Sequence, residues 1–246
     1  MNFKTKTVPR LVQLTSWSYS RYSDWRQCPL KAKLKHIDKL KEPGNAAMER
    51  GSKIHTDAEQ YIKGLLKVLP PELALFKQEF ADLKKLYKKK GRPMIVEDNW
   101  AFAKDWSESQ WNNWAECWVR IKLDCAHYVA DTIMVVTDWK SGKPNDYKTN
   151  EYMEQLELYA LSALLLHPFL TEVQVRIGWT DAGQMYPAEP LRYTPADIKR
   201  LLKSWNARVA PMMADNTFVP KPNNMCKWCY FGQAGKLKGG PGLCKY

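Results

Sequence analysis

Two neighbouring segments of alternating apolar and polar residues limit the fold more than any other feature of this 246-residue chain. Residues 116–129 and 131–140 alternate with a period of two, which predicts two β-strands joined by a turn near Asp131. A strand is also predicted before them at 94–102, and residues 150–166 carry the apolar spacing of an amphipathic helix. This order favours a mixed α/β arrangement with an antiparallel meander at its centre.

Further helices and strands are predicted on both sides of this meander. The helices span residues 16–40, 44–66, 70–90 and 194–215, and the strands after the central helix span residues 171–180 and 184–193. We predict one domain over residues 1–246, whose parts are an N-terminal helical segment at 16–43, a core at 44–193, a C-terminal helix at 194–219 and a cysteine-rich tail at 220–246. Proline, glycine and cysteine are frequent in that tail, so we expect irregular backbone there.

The charge balance favours a polyanionic partner. Lysine and arginine number 38 against 26 aspartates and glutamates, which gives a formal net charge of +12. This favours nucleic acid before a membrane surface, and a basic surface that only maintains solubility is the alternative. The longest apolar run, Ala160 to Leu166, is too short to cross a bilayer, and Met1 to Arg10 lacks the apolar core of a signal peptide. We therefore expect a cytoplasmic protein, in the host cytoplasm if its source is a virus.

A lysine and two aspartates are predicted to share one face of the central hairpin. Side chains two apart on a strand point the same way, so Asp138 and Lys140 lie side by side while Trp139 faces apolar packing. A turn near Asp131 places Asp124 opposite Asp138, because the two are equally far from it. Opposed carboxylates repel each other unless a cation lies between them, and oxygen ligands suit magnesium or manganese rather than zinc. An exposed cross-strand salt bridge is the alternative interpretation.

A histidine on the second predicted helix is a further candidate ligand. His55 and Glu59 lie one turn apart and share a helical face, and Gly51 permits close approach to a neighbouring backbone. A lone helical histidine is more often an ordinary surface or core residue, so the assignment depends on the residues around it.

Taken together and in order, these residues resemble the PD-(D/E)XK nuclease superfamily, in its RecB-like exonuclease branch, which includes the CRISPR-adaptation nuclease. The resemblance covers residues 18–244 and rests on the ordered set. The matching positions are Gly51, His55 and Glu59 on a helix, Asp124 on a strand, Asp138 and Lys140 on the next strand, and Gln155 and Tyr159 on the following helix. The element order is the one that the family's restriction-endonuclease-like core requires: a helix, a three-strand meander, a helix and a strand. Lys122 and Leu123 depart mildly from relatives, which often carry a glycine-containing turn there.

The resemblance implies a divalent-metal-dependent DNA exonuclease that acts on single-stranded DNA or DNA ends in recombination, repair or replication. The implied ligands of magnesium or manganese are His55, Asp124, Asp138 and the carbonyl of Trp139. Lys140 would orient or activate the attacking water and offset charge in the transition state, while Gln155 and Tyr159 would position Lys140 or the DNA backbone. Glu59 and Glu97 are weaker candidates, and the face on which Glu97 lies depends on the strand register.

Cysteines at the two ends of the chain form a second candidate site. The resemblance implies a [4Fe–4S] cluster that joins the tail to the first helical segment, with the ligands Cys28, Cys226, Cys229 and Cys244. The gap between Cys229 and Cys244 is longer than is usual in that branch. Zinc bound by the four thiolates and free thiols are the alternatives.

Basic and aromatic residues near the first site are candidates for DNA contact. The candidate backbone contacts are Arg120, Lys122 and Lys143, and the candidate stacking residues in the polar connection are Trp106, Trp111 and Trp114. Unpaired bases stack on exposed aromatic rings, whereas packing of the indoles against the sheet is the alternative.

Two rival functions stay open at this point. One is a catalytically inactive iron–sulfur DNA-binding module of a recombination complex. The other is a metal-dependent endonuclease, which is disfavoured because no recognition domain is visible. A recombination or replication protein is the expected protein partner, and the oligomeric state is not indicated by the sequence.

Overall fold

A computed structural model describes residues 12–89, 94–144 and 146–246, in which the chain forms two compact units. One unit consists of residues 43–205, and the other combines the described residues up to 42 with residues 206–246. The single domain over 1–246 and its subdivision stay predictions. The segment from Met1 to Arg10, which has no apolar core in its sequence, lies outside the described residues, as does the last residue of the helix predicted at 70–90.

The unit at 43–205 is built on one five-stranded sheet. Its strands are β1 Ile95–Phe102, β2 Val119–Ala130, β3 Ile133–Lys140, β4 Glu172–Trp179 and β5 Gln184–Tyr193, in the spatial order β1-β2-β3-β4-β5. All neighbouring strands are antiparallel except β3 and β4, which are parallel and are separated in the chain by a helix. The predicted mixed α/β fold with a central meander is confirmed, and it is consistent with a restriction-endonuclease-like fold.

Helices of both units account for most of the remaining described residues. The α-helices are α1 Tyr19–Gln27, α2 Pro29–Ala32, α3 Ala46–Ile62, α4 Lys77–Lys88, α5 Asp146–Leu166, α6 Ile198–Ala214 and α7 Gln233–Lys236. A π-helical turn spans Lys33–Ile37, and 3₁₀ turns span Pro71–Phe76, Pro195–Asp197 and Asn224–Trp228. None of the helices in the described part of the chain is long and apolar enough to span a membrane.

The register of the β2–β3 hairpin decides which polar side chains meet. Cys125 pairs with Thr137 and Ala126 with Val136, so the next pair along the same register is Asp124 and Asp138. The pairing shifts only close to the turn, beyond Tyr128. The predicted register is therefore confirmed on the side of the hairpin where the two aspartates lie.

A buried tryptophan holds the end of β3 in place. Trp139 is 1% exposed, and its ring lies 4.6 Å from that of Phe80 in a core that α3 and α4 share with the sheet. Across the pairing to β4, a methyl group on Gly178 would lie 2.3 Å from the Trp139 ring, so only glycine fits there. This packing fixes the backbone between Asp138 and Lys140, which is a precondition for a catalytic site.

The helix predicted at 16–40 is interrupted, contrary to the sequence-based expectation. Ser18 caps α1 by accepting a hydrogen bond from the Arg21 amide, and α1 ends at Gln27. Cys28 is extended, with φ −160° and ψ 110°, before α2 begins at Pro29. A residue before proline avoids helical backbone angles, so the helix ends at this position. The apolar spacing of the sequence continues on both sides of the break and gives no sign of it.

Candidate active site

Side chains from α3 and two strands of the unit at 43–205 converge on one cluster. His55 comes from α3, Glu97 from β1 and Asp124 from β2. The Nδ1 atom of His55 lies 3.1 Å from Asp124 Oδ1 and 3.6 Å from Glu97 Oε1. Asp124 is held in turn by the backbone N–H of Trp139, which donates to Oδ2 at 2.9 Å. The register of the hairpin thus presents one carboxylate to the histidine in a fixed orientation.

These three side chains are close enough to share one metal ion. One ligand atom from each of His55, Glu97 and Asp124 lies within 4.8 Å of the other two, and no other such group of three occurs among the described residues. Two carboxylates with one imidazole, all partly or fully buried, match the hard oxygen-rich sites that hold magnesium or manganese. The donor set therefore fits a divalent cation.

Asp138 and Lys140 form a buried ion pair beside this group. Asp138 is 2% exposed, and its Oδ2 lies 2.7 Å from Lys140 Nζ. The ammonium of Lys140 is the one partner of that Oδ2 among the described residues, and a carboxylate oxygen can accept more than one bond, so acceptor capacity is left over. Such an atom suits a metal ligand, although Asp138 is not part of the three-residue group and its coordination, like that of the Trp139 carbonyl, stays a prediction.

The charges of the cluster are strongly coupled. Burial lowers the pKa of His55, but hydrogen bonds to Asp124 and Glu97 outweigh it and raise the pKa to about 10. Burial raises the pKa of Glu97, and the partners His55 and Lys122 more than reverse this, so the pKa lies below its ordinary value. His55 is therefore protonated while it is paired with the two carboxylates. It must lose that proton before its nitrogen can bind a metal ion.

Lys140 is a cation in this environment. Burial lowers its pKa, but the carboxylates of Asp138 and Asp124 outweigh burial and hold the pKa above its ordinary value. Its ammonium also lies 4.9 Å from the centre of the Tyr152 ring. A fixed positive charge next to a metal site can stabilise negative charge that develops on a phosphate.

Gln155 and Tyr159 of α5 meet in the way that their spacing predicts, and Tyr159 contacts Asp138. Gln155 Nε2 donates to the Tyr159 hydroxyl at 2.6 Å, and this hydroxyl lies 3.0 Å from the Lys122 carbonyl and 3.3 Å from Asp138 Oδ1. Burial raises the pKa of Tyr159, so its hydroxyl stays neutral and can donate. The observed link to Lys140 therefore passes through Asp138, and direct contact of either residue with DNA stays a prediction.

Glu97 belongs to the cluster, whereas Glu59 does not. Glu59 pairs with Lys63 on the surface of α3 at 2.6 Å. Glu97 adopts φ 51°, a left-handed conformation that is rare for residues with a side chain and costs on the order of 1–3 kcal/mol. The strain is tolerated where the side chain meets His55 and pairs with Lys122 at 2.7 Å.

Substitution of these two glutamates separates a metal ligand from a surface residue. We expect Glu97→Gln to weaken Mn²⁺ binding by about tenfold or more, because it removes one of the two carboxylates of the three-residue group. Glu59→Gln, a matched change on α3, should leave the affinity unchanged. Calorimetric titration with Mn²⁺ measures both, and equal affinities for the two variants would remove Glu97 from the site.

The candidate DNA contacts fall into different environments. Trp106 is 5% exposed and packs against Phe102 and Trp118, so the prediction that it stacks on bases is corrected: its ring is buried in the core. Trp114 is 72% exposed, and the guanidinium carbon of Arg120 lies 4.2 Å from the centre of its ring.

The basic candidates differ as well. Arg120 is 6% exposed, and its Nε donates to the carbonyl of the half-buried Trp111 at 3.2 Å. Arg120 therefore contacts both Trp111 and Trp114. Lys122 is exposed but paired with Glu97, and Lys143 is exposed in the loop after β3. Direct contact of these residues with DNA stays a prediction.

The four cysteines singled out by the sequence line one cavity in the other unit. Cys28, at the break between α1 and α2, shares this cavity with the tail cysteines Cys226, Cys229 and Cys244. No three of their sulfurs lie within 4.8 Å of one another among the described residues. Burial raises the pKa of the Cys229 thiol, and the neighbouring Cys28 adds to this.

The chain is similar to one family of known proteins over most of its length. The model of the PD-(D/E)XK nuclease superfamily matches residues 16–234, which include the whole cluster. Among solved structures, a "Putative exonuclease" from Eubacterium rectale shares 14% identity over 87% of this chain and 86% of that chain, with a TM-score of 0.47. The protein SSO0001 shares 12% identity over 89% and 85%, with a TM-score of 0.40. No curated protein matches the chain.

Proposed function

Because the chain belongs to the PD-(D/E)XK nuclease superfamily, we propose that it is a divalent-metal-dependent deoxyribonuclease. The single observation that carries this proposal is the convergence of His55, Glu97 and Asp124 next to the buried pair of Asp138 and Lys140. A net charge of +12 supports DNA as the substrate.

The residues of the cluster have different roles in hydrolysis. His55, Glu97 and Asp124 would hold magnesium or manganese, and Asp138 Oδ2 is placed to complete the set. When bound, the ion supplies Lewis-acid stabilisation of the phosphate and lowers the pKa of water. Lys140 contributes a second positive charge, which orients the attacking water and offsets charge that develops on the phosphate oxygens in the transition state.

Tyr159 and Gln155 act on this centre from α5. The Gln155 amide donates to the Tyr159 hydroxyl, and that hydroxyl lies against Asp138 Oδ1. A rotamer fixed in this way keeps Asp138 turned toward Lys140, so the ammonium stays at one position. We assign Tyr159 and Gln155 as positioning residues.

We propose further that the enzyme is an exonuclease of the RecB-like branch, acting on single-stranded DNA or DNA ends in recombination, repair or replication. The exposed ring of Trp114 above Arg120 supports unpaired DNA, since base faces are available for stacking only outside a duplex. A protein partner from recombination or replication belongs to the same proposal.

One gel assay tests this function against its rivals. Labelled linear single-stranded DNA, linear duplex and a closed circle are incubated with Mn²⁺, with Mg²⁺ or with EDTA. We expect progressive shortening of linear DNA that stops in EDTA, while the circle stays intact. A linearised circle would show an endonuclease, and DNA that is retarded on the gel but never cut would show a binding module without activity.

The cysteine cavity supports a [4Fe–4S] cluster. Cys28, Cys226, Cys229 and Cys244 line one cavity. Zinc requires sulfurs about 2.3 Å from the metal, and so about 3.8 Å from each other. No three of these sulfurs lie within 4.8 Å of one another among the described residues, so they are not arranged as zinc ligands, and the cavity that all four share is what supports the larger cluster.

Anaerobic purification tests the cluster. We expect a brown protein with a broad absorbance near ~400 nm, about four irons per chain, and loss of colour in Cys226→Ser. Cys125→Ser, a cysteine buried in the sheet core of the other unit, should keep the iron. A colourless protein with stoichiometric zinc would contradict the assignment.

A further inference from the structure

The C-terminal tail at 220–246 has an unusual surface. It contains five lysines and neither aspartate nor glutamate. Several large apolar side chains in the same segment are exposed, among them Trp228 at 66% and Tyr246 at 41%. Exposed indole surface is unfavourable in water unless a partner covers it. The uniformly positive charge of the segment points to a polyanionic partner rather than to a protein surface of mixed charge.

The exposed aromatic rings are accompanied by ammonium groups. Two lysines flank Trp228: Lys227 Nζ lies 5.9 Å and Lys238 Nζ 5.6 Å from the centre of the indole. Lys245 Nζ lies 5.2 Å from the centre of the Tyr246 ring. An open ring with cations at its side combines a stacking surface for a base with a contact for the adjacent phosphates.

Hydrogen bonds and close glycine contacts hold the backbone of the tail, although most of it is irregular. The amide of Gln233 donates to the carbonyl of Tyr246 at 3.0 Å, and the amide of Cys244 donates to that of Phe231 at 3.0 Å. Gly235 and Gly240 approach the Tyr230 carbonyl so closely that an added methyl carbon would lie 2.0 Å and 2.2 Å from its oxygen. Trp228 itself ends the 3₁₀ turn Asn224–Trp228, which is followed by the Cys229 amide donating to the Cys226 carbonyl at 3.1 Å. The backbone before and after the ring is therefore held by hydrogen bonds, so binding a strand would cost little ordering entropy.

We infer that Trp228, with Lys227 and Lys238, is a binding site for single-stranded DNA that uses none of the residues His55, Glu97, Asp124, Asp138 and Lys140; Trp228 also lines the cavity of the four cysteines. The indole stacks on one unpaired base, and the two ammonium groups contact the phosphates on either side of it. A duplex cannot use this site, because its base faces are already stacked. Recognition is independent of base identity, since every base offers a π-face. The inference rests on the proposed function only in taking DNA as the substrate.

Binding without cleavage tests the site. The anisotropy of a fluorescent 20-nucleotide oligo(dT) is measured in EDTA for the full chain and its variants. We expect Trp228→Ala to weaken binding by about tenfold, since a stacked base is worth roughly 1–3 kcal/mol. Trp228→Phe should keep most of the affinity. Leu237→Ala, at an 89% exposed position of the same tail, is the matched control and should bind as the native protein does.

The lysines are tested through the dependence on salt. The slope of log Kd against log salt should fall by about 0.7 for each lost phosphate contact with a single strand. We therefore expect a smaller slope in Lys238→Gln, while duplex binding is unaffected by this variant or by Trp228→Ala. Should Trp228→Ala prove unfolded by thermal melting, Trp228→Leu replaces it, since leucine keeps apolar bulk without a ring.

Several results would overturn the inference. Equal affinities for single-stranded DNA in the native protein, Trp228→Ala and Leu237→Ala would do so. A loss of duplex binding in Trp228→Ala as large as its loss of single-strand binding would also do so. Cleavage of the same oligonucleotide in Mn²⁺ is measured separately. If the unsubstituted protein cleaves DNA and the Trp228 variants bind oligo(dT) as tightly as it does, only the Trp228 site is contradicted. If the unsubstituted protein binds oligo(dT) through Trp228 but does not cut it, only the nuclease assignment is contradicted.

Discussion

Lys140→Ala is expected to lower the rate of DNA cleavage by about a thousandfold or more, while DNA affinity changes little. The ammonium is buried next to Asp138, and carboxylates hold its pKa above the ordinary value, so it is a permanent positive charge. Loss of one pre-positioned group that stabilises transition-state charge typically costs about 10²–10³ in rate. Loss of the water-orienting role adds to this. Single-turnover cleavage of labelled DNA measures the rate, and anisotropy in EDTA measures affinity.

The control for this variant is Lys199→Ala, which removes an exposed lysine of α6. It should cleave as fast as the native protein. Lys140→Ala also leaves the carboxylate of Asp138 buried without its partner, so its melting temperature is recorded alongside the rate. A folded Lys140→Ala protein that cleaves at the native rate would refute the catalytic role.

The second large effect is expected for Asp124→Asn. This carboxylate contacts His55 at 3.1 Å and accepts the Trp139 amide at 2.9 Å, so it is central to the group of three ligands. The asparagine oxygen can still accept the amide, and the fold is retained. The charge that attracts the cation is lost, so we expect Mn²⁺ affinity to fall by at least about 100-fold and cleavage by about a thousandfold.

Asp131→Asn is the matched control, because Asp131 is exposed at the turn of the same hairpin. It should bind Mn²⁺ and cut DNA as the native protein does. Near-native Mn²⁺ affinity in a folded Asp124→Asn protein would show that the ion, if it binds, is held elsewhere. Partial rescue of cleavage at high Mn²⁺ concentration would support a weakened site rather than a destroyed one.

The strands and their register could be predicted because they depend on a local signal. Alternation along β2 and β3 and the position of the turn near Asp131 are sufficient to bring Asp124 next to Asp138. The proline after Cys28 is a sequence signal for the break between α1 and α2. The apolar spacing continues on both sides of it, and this led to the prediction of one unbroken helix.

The role of Glu97 could not be predicted in the same way. Its φ of 51° is a local departure from strand geometry within the continuous β1, and alternation alone gives no sign of such a residue. The pairing of Val96 with Cys125 places Glu97 beside Asp124, so knowledge of the β1–β2 register would have found it. Register between non-local partners depends on side-chain packing across the sheet, which one sequence does not display.

Tryptophans show a similar limit. Trp106 and Trp114 lie in the same polar connection, yet one is buried in the core and the other is exposed. Their difference arises from contacts with Phe102 and Trp118, which depend on the path of the loop. Burial of aromatic residues in irregular segments is therefore a property of tertiary structure.

Anomalous diffraction from crystals of the Lys140→Ala protein grown with Mn²⁺ and a short DNA strand is the most direct test of the central claim. Manganese scatters anomalously, so its position is located independently of the surrounding density. We expect an anomalous peak in contact with His55, Glu97 and Asp124, beside a phosphate of the strand. Manganese bound only at other positions, with those three side chains still paired to each other, would contradict it.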